Sequence, residues 1–234
     1  MKVMTFNIQH GNVNLKDYID LAMMAEVIRS ADPDVAALQE VRGRGPIRDY
    51  TAQAEALAAM LNMHVYFGCS VMIGGSSPYG NAVLSKYPIL EAKVIDIPDP
   101  VGQKHVEHRT LTRAVIDAPE GRIAVYATHF GLSAPEHEHA VSTTLAALAN
   151  EPLPFVLMGD LNMTPDNPLI AAMNDKLCGT DDLLAGQLTF PSEAADRKID
   201  YIFTSKNVRT RAAKVLPVMA SDHFPVEATI EIVR

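Results

Sequence analysis

The chain has 234 residues, and its 20 Lys and Arg against 28 Asp and Glu give a net charge of −8 with the histidines neutral. Hydrophobic residues make up 48% and charged residues 21%, which is typical of a globular protein and excludes a mostly disordered one. The acidic balance argues against a protein that binds nucleic acid through many phosphate contacts, because such binding needs an excess of Lys and Arg. A chain of this length can form one large core, so we expect a single domain over residues 1–234.

The two cysteines and the lengths of the apolar runs indicate the cellular location of the protein. Cys69 and Cys178 are far apart and form no Cys-x-x-Cys motif, so neither a disulfide framework nor a thiolate zinc site is indicated. No apolar run approaches the roughly 18 residues that a membrane span needs, and the first residues are typical of a strand rather than a signal peptide. We expect a cytoplasmic protein without a membrane span, although a chain from which a leader had been removed would have the same sequence. Nothing indicates an oligomeric state.

The first third of the chain mixes strands and helices. A weakly alternating β-rich segment is followed by a helix that Asn14 would cap and that Asp32-Pro33 would end, and then by a short buried strand and an Ala-rich helix. The predicted bounds are strand 2–8, helix 14–30, strand 35–38 and helix 51–61.

The remainder is mostly β, interrupted by helices. Gly-Gly, Tyr-Pro and Pro-Glu-Gly sequences separate strand-like runs, and two segments have helical character. The predicted strands are 64–73, 81–85, 89–97, 110–118, 122–128, 154–158, 199–204, 208–216 and 226–232, and the predicted helices are 135–150 and 169–173. Strands and helices without strict alternation predict an α/β (α+β) fold in which two mixed β-sheets pack together and helices flank them, a four-layer sandwich.

Polar residues follow several of these apolar strands. Taken singly, each is typical of a solvated strand end or an ordinary turn. The residues are Asn7, Glu40, Asn81, His129, Asp160, Asn162, Asp200, Asp222 and His223.

Together, these residues and their local sequences resemble the endonuclease/exonuclease/phosphatase superfamily. The motifs that carry the resemblance are Thr5-Phe6-Asn7-Ile8, Leu38-Gln39-Glu40-Val41, Tyr79-Gly80-Asn81-Ala82, Thr128-His129-Phe130, Gly159-Asp160-Leu161-Asn162, Ile199-Asp200-Tyr201-Ile202 and Ser221-Asp222-His223-Phe224-Pro225. They span residues 3–226 in the order that the superfamily has. The resemblance implies a two-sheet α/β sandwich with the active site at one edge, in agreement with the strand pattern.

The resemblance also implies a Mg²⁺-dependent phosphoesterase, with Mn²⁺ as the alternative metal. Mg²⁺ is a hard cation that keeps several waters and takes one or two carboxylates, so it needs no Cys or His cage. By resemblance, Glu40 is the primary ligand, Asn7 holds a metal-bound water or a phosphate oxygen, and Asp222 contributes from the opposite side.

The implied catalytic residues act on the attacking water and the phosphoryl oxygens. Asp160, helped by Asn162, would orient and deprotonate the water. His223 would donate a hydrogen bond to a phosphoryl oxygen, with its ring fixed by Asp200. His129 would hold a second oxygen or assist the leaving group.

Asn81 and Arg109 are the further residues expected to contact the substrate phosphate. The loop after Glu40 carries Arg42, Arg44 and Arg48, which would either reach a phosphate or lie in solvent. The run Glu136-His137-Glu138-His139 is similar to a metal-binding tract, but adjacent residues do not share a helix face, so a solvated helix start is favoured.

The expected substrate class rests on a few residue identities and on the overall composition. Gln9 stands where apurinic endonucleases commonly carry an acid, and the Glu40 and Asn81 motifs are more similar to phosphatases and sphingomyelinases. The net charge of −8, the absence of Trp and the 6% aromatic content disfavour a nucleic-acid surface. We therefore expect hydrolysis of a phosphodiester or phosphomonoester of a small molecule, or of a lipid or sugar head group. A DNA or RNA endonuclease or exonuclease is the alternative. A non-catalytic binding module is disfavoured because the site residues are all retained.

Overall fold

The computed structural model describes residues 1–16, 18–47, 50–102 and 106–233. Over these ranges the strands are β1 (Lys2–Asn7), β2 (Val35–Arg42), β3 (His64–Ile73), β4 (Ser77–Ser85), β5 (Ile89–Ile97), β6 (Arg109–Ala118), β7 (Gly121–His129), β8 (Phe155–Asp160), β9 (Cys178–Gly179), β10 (Asp200–Thr204), β11 (Val208–Val215) and β12 (Val226–Ile232). The helices are α1 (Leu21–Ala31), α2 (Gln53–Leu61), α3 (Ala134–Ala149), α4 (Pro168–Asn174) and α5 (Asp181–Leu184), and Gln9–Gly11 forms a short 3₁₀ turn.

The strands form two six-stranded sheets, and both sheets are mixed. The first sheet has the order β11-β12-β1-β2-β4-β3, in which β1 and β2 are parallel and the other pairs antiparallel. The second has the order β5-β6-β7-β8-β10-β9, in which β7 and β8 are parallel. The predicted α/β sandwich of two packed mixed sheets with flanking helices is thus confirmed.

Successive side chains of the central strands pack alternately between the two sheets and under the flanking helices. On β1, Val3 packs between the two sheets, whereas its neighbour Met4 packs under the helices of the first sheet. On β8, Val156 faces the same inter-sheet core, whereas Leu157 packs toward the helical side of the second sheet. Because successive side chains of a strand point to opposite faces, each central strand contributes to two buried layers. This double burial explains the unbroken apolar run from Phe155 to Met158 on β8.

Helix α1 begins later than the sequence predicts. The helix starts after Asp20, whose carboxylate accepts a hydrogen bond from the Met23 backbone N at 3.0 Å, so the prediction of Asn14 as the cap is wrong. The preceding residues fold back on themselves through a bridge between Asn12 and Ile19. Side-chain capping at Asp20 satisfies a free N–H of the first turn, as at other helix starts. No helix among the described residues is long and apolar enough to cross a membrane.

Candidate active site

Strand pairing in the second sheet brings three titratable residues to one edge. The parallel register of β7 and β8 places His129 opposite Asp160, and the antiparallel register of β8 and β10 places Asp200 opposite Asp160. Gly159 permits the close approach of β7 and β8, because a Cβ there would lie 2.1 Å from the Thr128 carbonyl oxygen. The ends of β7 and β8 and the start of β10 therefore form one wall of a site.

Asn7 joins this wall to the first sheet. It ends β1 and is fully buried, and its Nδ2 donates hydrogen bonds to Glu40 Oε1 and to Asp160 Oδ2, both at 3.1 Å. Its Oδ1 accepts a hydrogen bond from the Gln9 backbone N at 3.0 Å, which fixes the orientation of the amide. The candidate site thus lies where the edges of the two sheets meet.

A bulge in β2 sets the position of Glu40. The register with β4 shifts between Leu38 and Val41, so that Gln39 and Glu40 together lie opposite Asn81. Glu40 has a φ of +58°, in the left-handed region that non-glycine residues rarely adopt. Bulges of this kind redirect a side chain, and here the redirected carboxylate lines the candidate cleft.

Three neighbours hold the Glu40 carboxylate. Tyr79 OH donates to Oε2 at 2.8 Å, His10 Nδ1 lies 3.8 Å from the same oxygen, and Asn7 occupies Oε1. Burial favours the neutral acid, but hydrogen bonding by His10, Asn7 and Tyr79 outweighs it and lowers the pKa of Glu40 well below its usual range. The site therefore presents a carboxylate at neutral pH.

His223 lies between two buried carboxyl groups. Its Nδ1 is 3.0 Å from Asp200 Oδ2, and its Nε2 is 3.6 Å from Asp160 Oδ2. Burial alone would favour the neutral ring, but the charges of Asp200 and Asp160 raise the pKa of His223 to about 10. Burial raises the pKa of Asp160 to about 7. The ring of Phe190 packs on His223, with 4.6 Å between the ring centroids.

His129 is a buried and neutral histidine. Arg109 Nη1 lies 3.2 Å from its Nδ1, and the side-chain amide of Asn162 lies 3.1 Å from its Nε2. Burial and the charge of Arg109 lower the pKa of His129 to about 3. Both ring nitrogens thus face donors, since a guanidinium can only donate and the Asn162 atom at Nε2 is its amide nitrogen Nδ2, and Nε2 also lies 3.5 Å from Asp160 Oδ2.

These residues surround a cleft of about 460 Å³. The sequence-predicted residues that line it are Glu40, Arg109, His129, Asp160, Asn162, Asp222 and His223. Asn7 and Asp200 lie behind the lining and bond to it. Asn81 is buried opposite the β2 bulge and is not part of the lining, so its contact with phosphate stays a prediction.

Several cleft and supporting residues are absent from the sequence-based set. Tyr79 lies two residues before Asn81 on β4, where the strand period places both on one face, and this was a usable signal. Phe190 and Arg197 line the cleft from a loop, and the Arg197 guanidinium lies 4.8 Å from the Phe190 ring centroid. No local pattern marks these two loop residues.

The other charged clusters lie apart from the cleft or outside the described residues. Arg42 packs over the ring of Tyr50 at 4.8 Å and does not line the cleft, and Arg48 falls outside the described ranges. In the run 136–139, Glu136 forms a capping box with Ser133, and His137 is buried with its Nε2 2.8 Å from the Gly131 carbonyl oxygen. This segment is therefore a helix start, as predicted, but His137 is buried rather than solvated.

The sequence and the fold were compared with those of known proteins. The family model described as Endonuclease/Exonuclease/phosphatase family matches residues 4–223. The uncharacterised protein YbhP of Escherichia coli strain K12 is 26% identical over an alignment that covers 99% of this chain and 96% of YbhP. An endonuclease/exonuclease/phosphatase structure from Beutenbergia cavernae superposes with a TM-score of 0.85 at 27% identity, covering 99% of this chain and 71% of that one.

A further fold relative has a named activity. The mannosyl-6-phosphatase of Bacteroides thetaiotaomicron has a TM-score of 0.79 at 16% identity, covering 99% of this chain and all of that one, which shows a shared fold. The family match spans nearly the whole chain and includes the strand ends that meet at the cleft. The chain therefore belongs to the endonuclease/exonuclease/phosphatase family, whose members hydrolyse phosphoester bonds.

Proposed function

We propose that the protein is a divalent-metal-dependent phosphoesterase that acts on a small phosphoester. The observation that carries the proposal is a connected series of side chains, buried except for the half-buried Glu40, in which each member lies within 3.6 Å of the next: Asp200, His223, Asp160, Asn7 and Glu40. Such a series holds an acceptor for a water proton, a cation for phosphoryl oxygens and a separate carboxylate at fixed relative positions. Phosphoryl transfer depends mainly on positioning and charge neutralisation of this kind.

Glu40 is the residue best suited to hold the metal. Its carboxylate lines the cleft and is ionised, and the donors of Asn7 and Tyr79 fix its orientation, as partners of ligating carboxylates do. Asp222 lines the same cleft and adds a second carboxyl group, which makes a hard donor set that suits Mg²⁺ or Mn²⁺, whereas the Asn7 amide turns its nitrogen to Glu40 and so positions that ligand. When bound, the ion would neutralise charge on the phosphoryl oxygens.

Asp160, Asp200 and His223 form a second group with ligand atoms within 4.8 Å of one another. The contact between His223 Nδ1 and Asp200, together with the raised pKa of His223, favours a protonated ring. An imidazolium has no free lone pair for a metal. We therefore assign this group to proton transfer and phosphate binding rather than to the metal.

The residues then have complementary roles in hydrolysis. Asp160 takes the proton of the attacking water as the new P–O bond forms, and its pKa near 7 suits a general base at neutral pH. His223 and Arg109 donate hydrogen bonds to phosphoryl oxygens. The bond to the leaving oxygen breaks, and that oxygen takes up a proton from solvent, with His129 as the residue assigned to assist its departure. Asn162 holds Asp160 through its backbone N, which donates to Oδ1 at 2.9 Å.

A substrate panel tests the proposal. Phosphomonoesters, phosphodiesters, phospholipid head groups, RNA and duplex DNA would be assayed with Mg²⁺ or Mn²⁺, beside EDTA-treated enzyme and the Asp160→Asn variant. We expect metal-dependent turnover of small esters that Asp160→Asn abolishes. Undiminished turnover after chelation would refute metal dependence. Efficient DNA cleavage that falls steeply with salt would favour the nuclease alternative.

A further inference from the structure

A second cleft adjoins the catalytic cleft and shares two residues with it. It has a volume of about 440 Å³, and Phe190 and Asp222 line both clefts. One wall is the segment that follows β1, beginning at Gln9, whose backbone N donates to Asn7. The opposite wall is the loop that contains Pro191 and Glu193. A molecule whose phosphoryl group lies at His223 can therefore extend past Asp222 into this second cleft.

The second cleft is lined by neutral amides as well as by charged groups. Gln9, Asn12 and Asn14 form one side, and Asn14 Nδ2 donates to Ser192 Oγ at 2.8 Å and to Glu193 Oε2 at 3.2 Å. These contacts tie the two walls together. The Asn12 amide is better satisfied with its nitrogen toward the Lys16 and Tyr18 carbonyl oxygens, so the Gln9 amide nitrogen donates to Asn12 and, among the described residues, the carbonyl oxygens of Gln9 and Asn14 stay free for a ligand.

Charge and packing exclude two classes of occupant. Among the described residues of the second cleft, Glu193 and Asp222 place two carboxyl groups against one cation, Lys16, and this balance opposes a second phosphate. The Phe190 ring already packs against the Arg197 guanidinium and the His223 ring, which leaves it poorly placed to stack with a nucleobase. This lining therefore disfavours a polynucleotide, which is bound through several phosphates and, when single-stranded, also through stacked bases.

Hydroxyl groups match the remaining chemistry. A hydroxyl both donates and accepts, so it can donate to the free carbonyl oxygens of Gln9 and Asn14 and accept from the ammonium group of Lys16. We infer that the second cleft binds a polyhydroxylated leaving group, a sugar or another polyol, esterified to the phosphate that the catalytic cleft holds. This inference rests on the proposed phosphoesterase function and specifies its substrate class.

The test compares two esters of primary alcohols. A panel of hexose 6-phosphates carries ring hydroxyls, and n-hexyl phosphate has a similar alkyl leaving group without them. We expect kcat/KM to be at least about 100-fold higher for one of the hexose 6-phosphates, because sites built to hydrogen-bond hydroxyls reject analogues that lack them. The Asp160→Asn variant should also bind that hexose 6-phosphate at least about tenfold more tightly than n-hexyl phosphate by calorimetry.

Variants assign the selectivity to the second cleft. Glu193→Ala and Gln9→Asn should each reduce the ratio of the two kcat/KM values at least about tenfold. Glu138→Ala, at an exposed position on α3 outside both clefts, should keep the ratio. Equal kcat/KM values for the two esters in the wild type would refute the polyol site and leave the phosphoesterase function standing. No turnover of any ester with metal present would refute both.

Discussion

The carboxylate of Asp200 holds the ring of His223, with Oδ2 3.0 Å from Nδ1 inside the protein. This contact leaves Nε2 on the side of Asp160, at 3.6 Å from its Oδ2. One carboxylate thus orients the ring while the other lies beside its free nitrogen. These two contacts explain why we expect different roles for Asp200 and Asp160, although the two residues lie opposite each other in neighbouring strands.

Removal of either central group should impair the chemical step. We expect Asp160→Asn and His223→Ala each to lower kcat at least ~10²-fold, the low end for general acid–base groups. The double variant should lose much less than the product of the two, because residues that act as a unit are non-additive. Steady-state kinetics on a cleaved ester measures this, and near wild-type kcat in either single variant would show that the roles are wrongly assigned.

Asp200→Asn should act through His223. The variant keeps a polar side chain but removes the charge that raises the pKa of His223, so that pKa should fall toward its ordinary range. We expect kcat to fall with little change in KM. Titration of the imidazole by NMR measures the pKa shift directly, with His137, which lies on α3, as the internal reference. An unchanged His223 titration would contradict this coupling.

Glu40 and Tyr79 should control metal affinity. Glu40→Gln removes the ionised ligand and should abolish Mg²⁺ binding measured by calorimetry. Tyr79→Phe removes only the hydrogen bond to Oε2 and should weaken binding about 10-fold or more, as loss of a ligand's partner does. Tyr66→Phe is the matched control, since the Tyr66 hydroxyl has no hydrogen bond among the described residues. Equal weakening by Tyr66→Phe would indicate a nonspecific effect.

A buried ion pair away from the cleft should make stability depend on pH. Glu151 has a side chain only 1% exposed and accepts from Arg113 Nε at 2.6 Å and from Tyr126 OH at 2.6 Å. Burial favours its neutral form, but these donors outweigh burial and lower its pKa. Its stabilisation is therefore complete above the unfolded-state pKa of about 4.3 and is lost as the pH falls through the lower folded-state pKa.

Glu151→Gln should accordingly lower the free energy of unfolding by about 3 kcal/mol at pH 7, because it leaves Arg113 without its buried partner. The difference from the wild type should shrink in acid, and urea unfolding at neutral and acidic pH measures it. Glu91→Gln is the control, because Glu91 contacts the same Arg113 at 3.5 Å but is 73% exposed. A loss at pH 7 no larger than that of Glu91→Gln would contradict the prediction.

Much of the fold and of the site's composition was predictable from sequence. Strands that are buried on both faces appear in the sequence as continuous apolar runs, and polar residues such as Asp160 and His129 end them. The start of α1 was misjudged because Asn14 is as good a cap as Asp20, and only the bridge between Asn12 and Ile19 decides between them. Capping preference alone could not resolve this.

The supporting contacts of the site were not predictable. The bond from Tyr79 to Glu40 exists because a bulge redirects one residue, and bulges have no reliable sequence signature. Phe190 and Arg197 reach the cleft on a loop whose path depends on tertiary packing. Loop residues of this kind depend on contacts distant in sequence, which a local pattern does not encode.

The left-handed backbone of Glu40 implies a trade-off between stability and activity. Glycine adopts a φ of +58° at little steric cost, whereas a residue with a side chain does so at roughly 1 kcal/mol or more. The fold by itself would therefore accept glycine at this position, while the proposed chemistry requires a carboxylate. The backbone thus bears a conformational cost at the residue whose carboxylate the proposed chemistry requires, as strained positions at functional sites do.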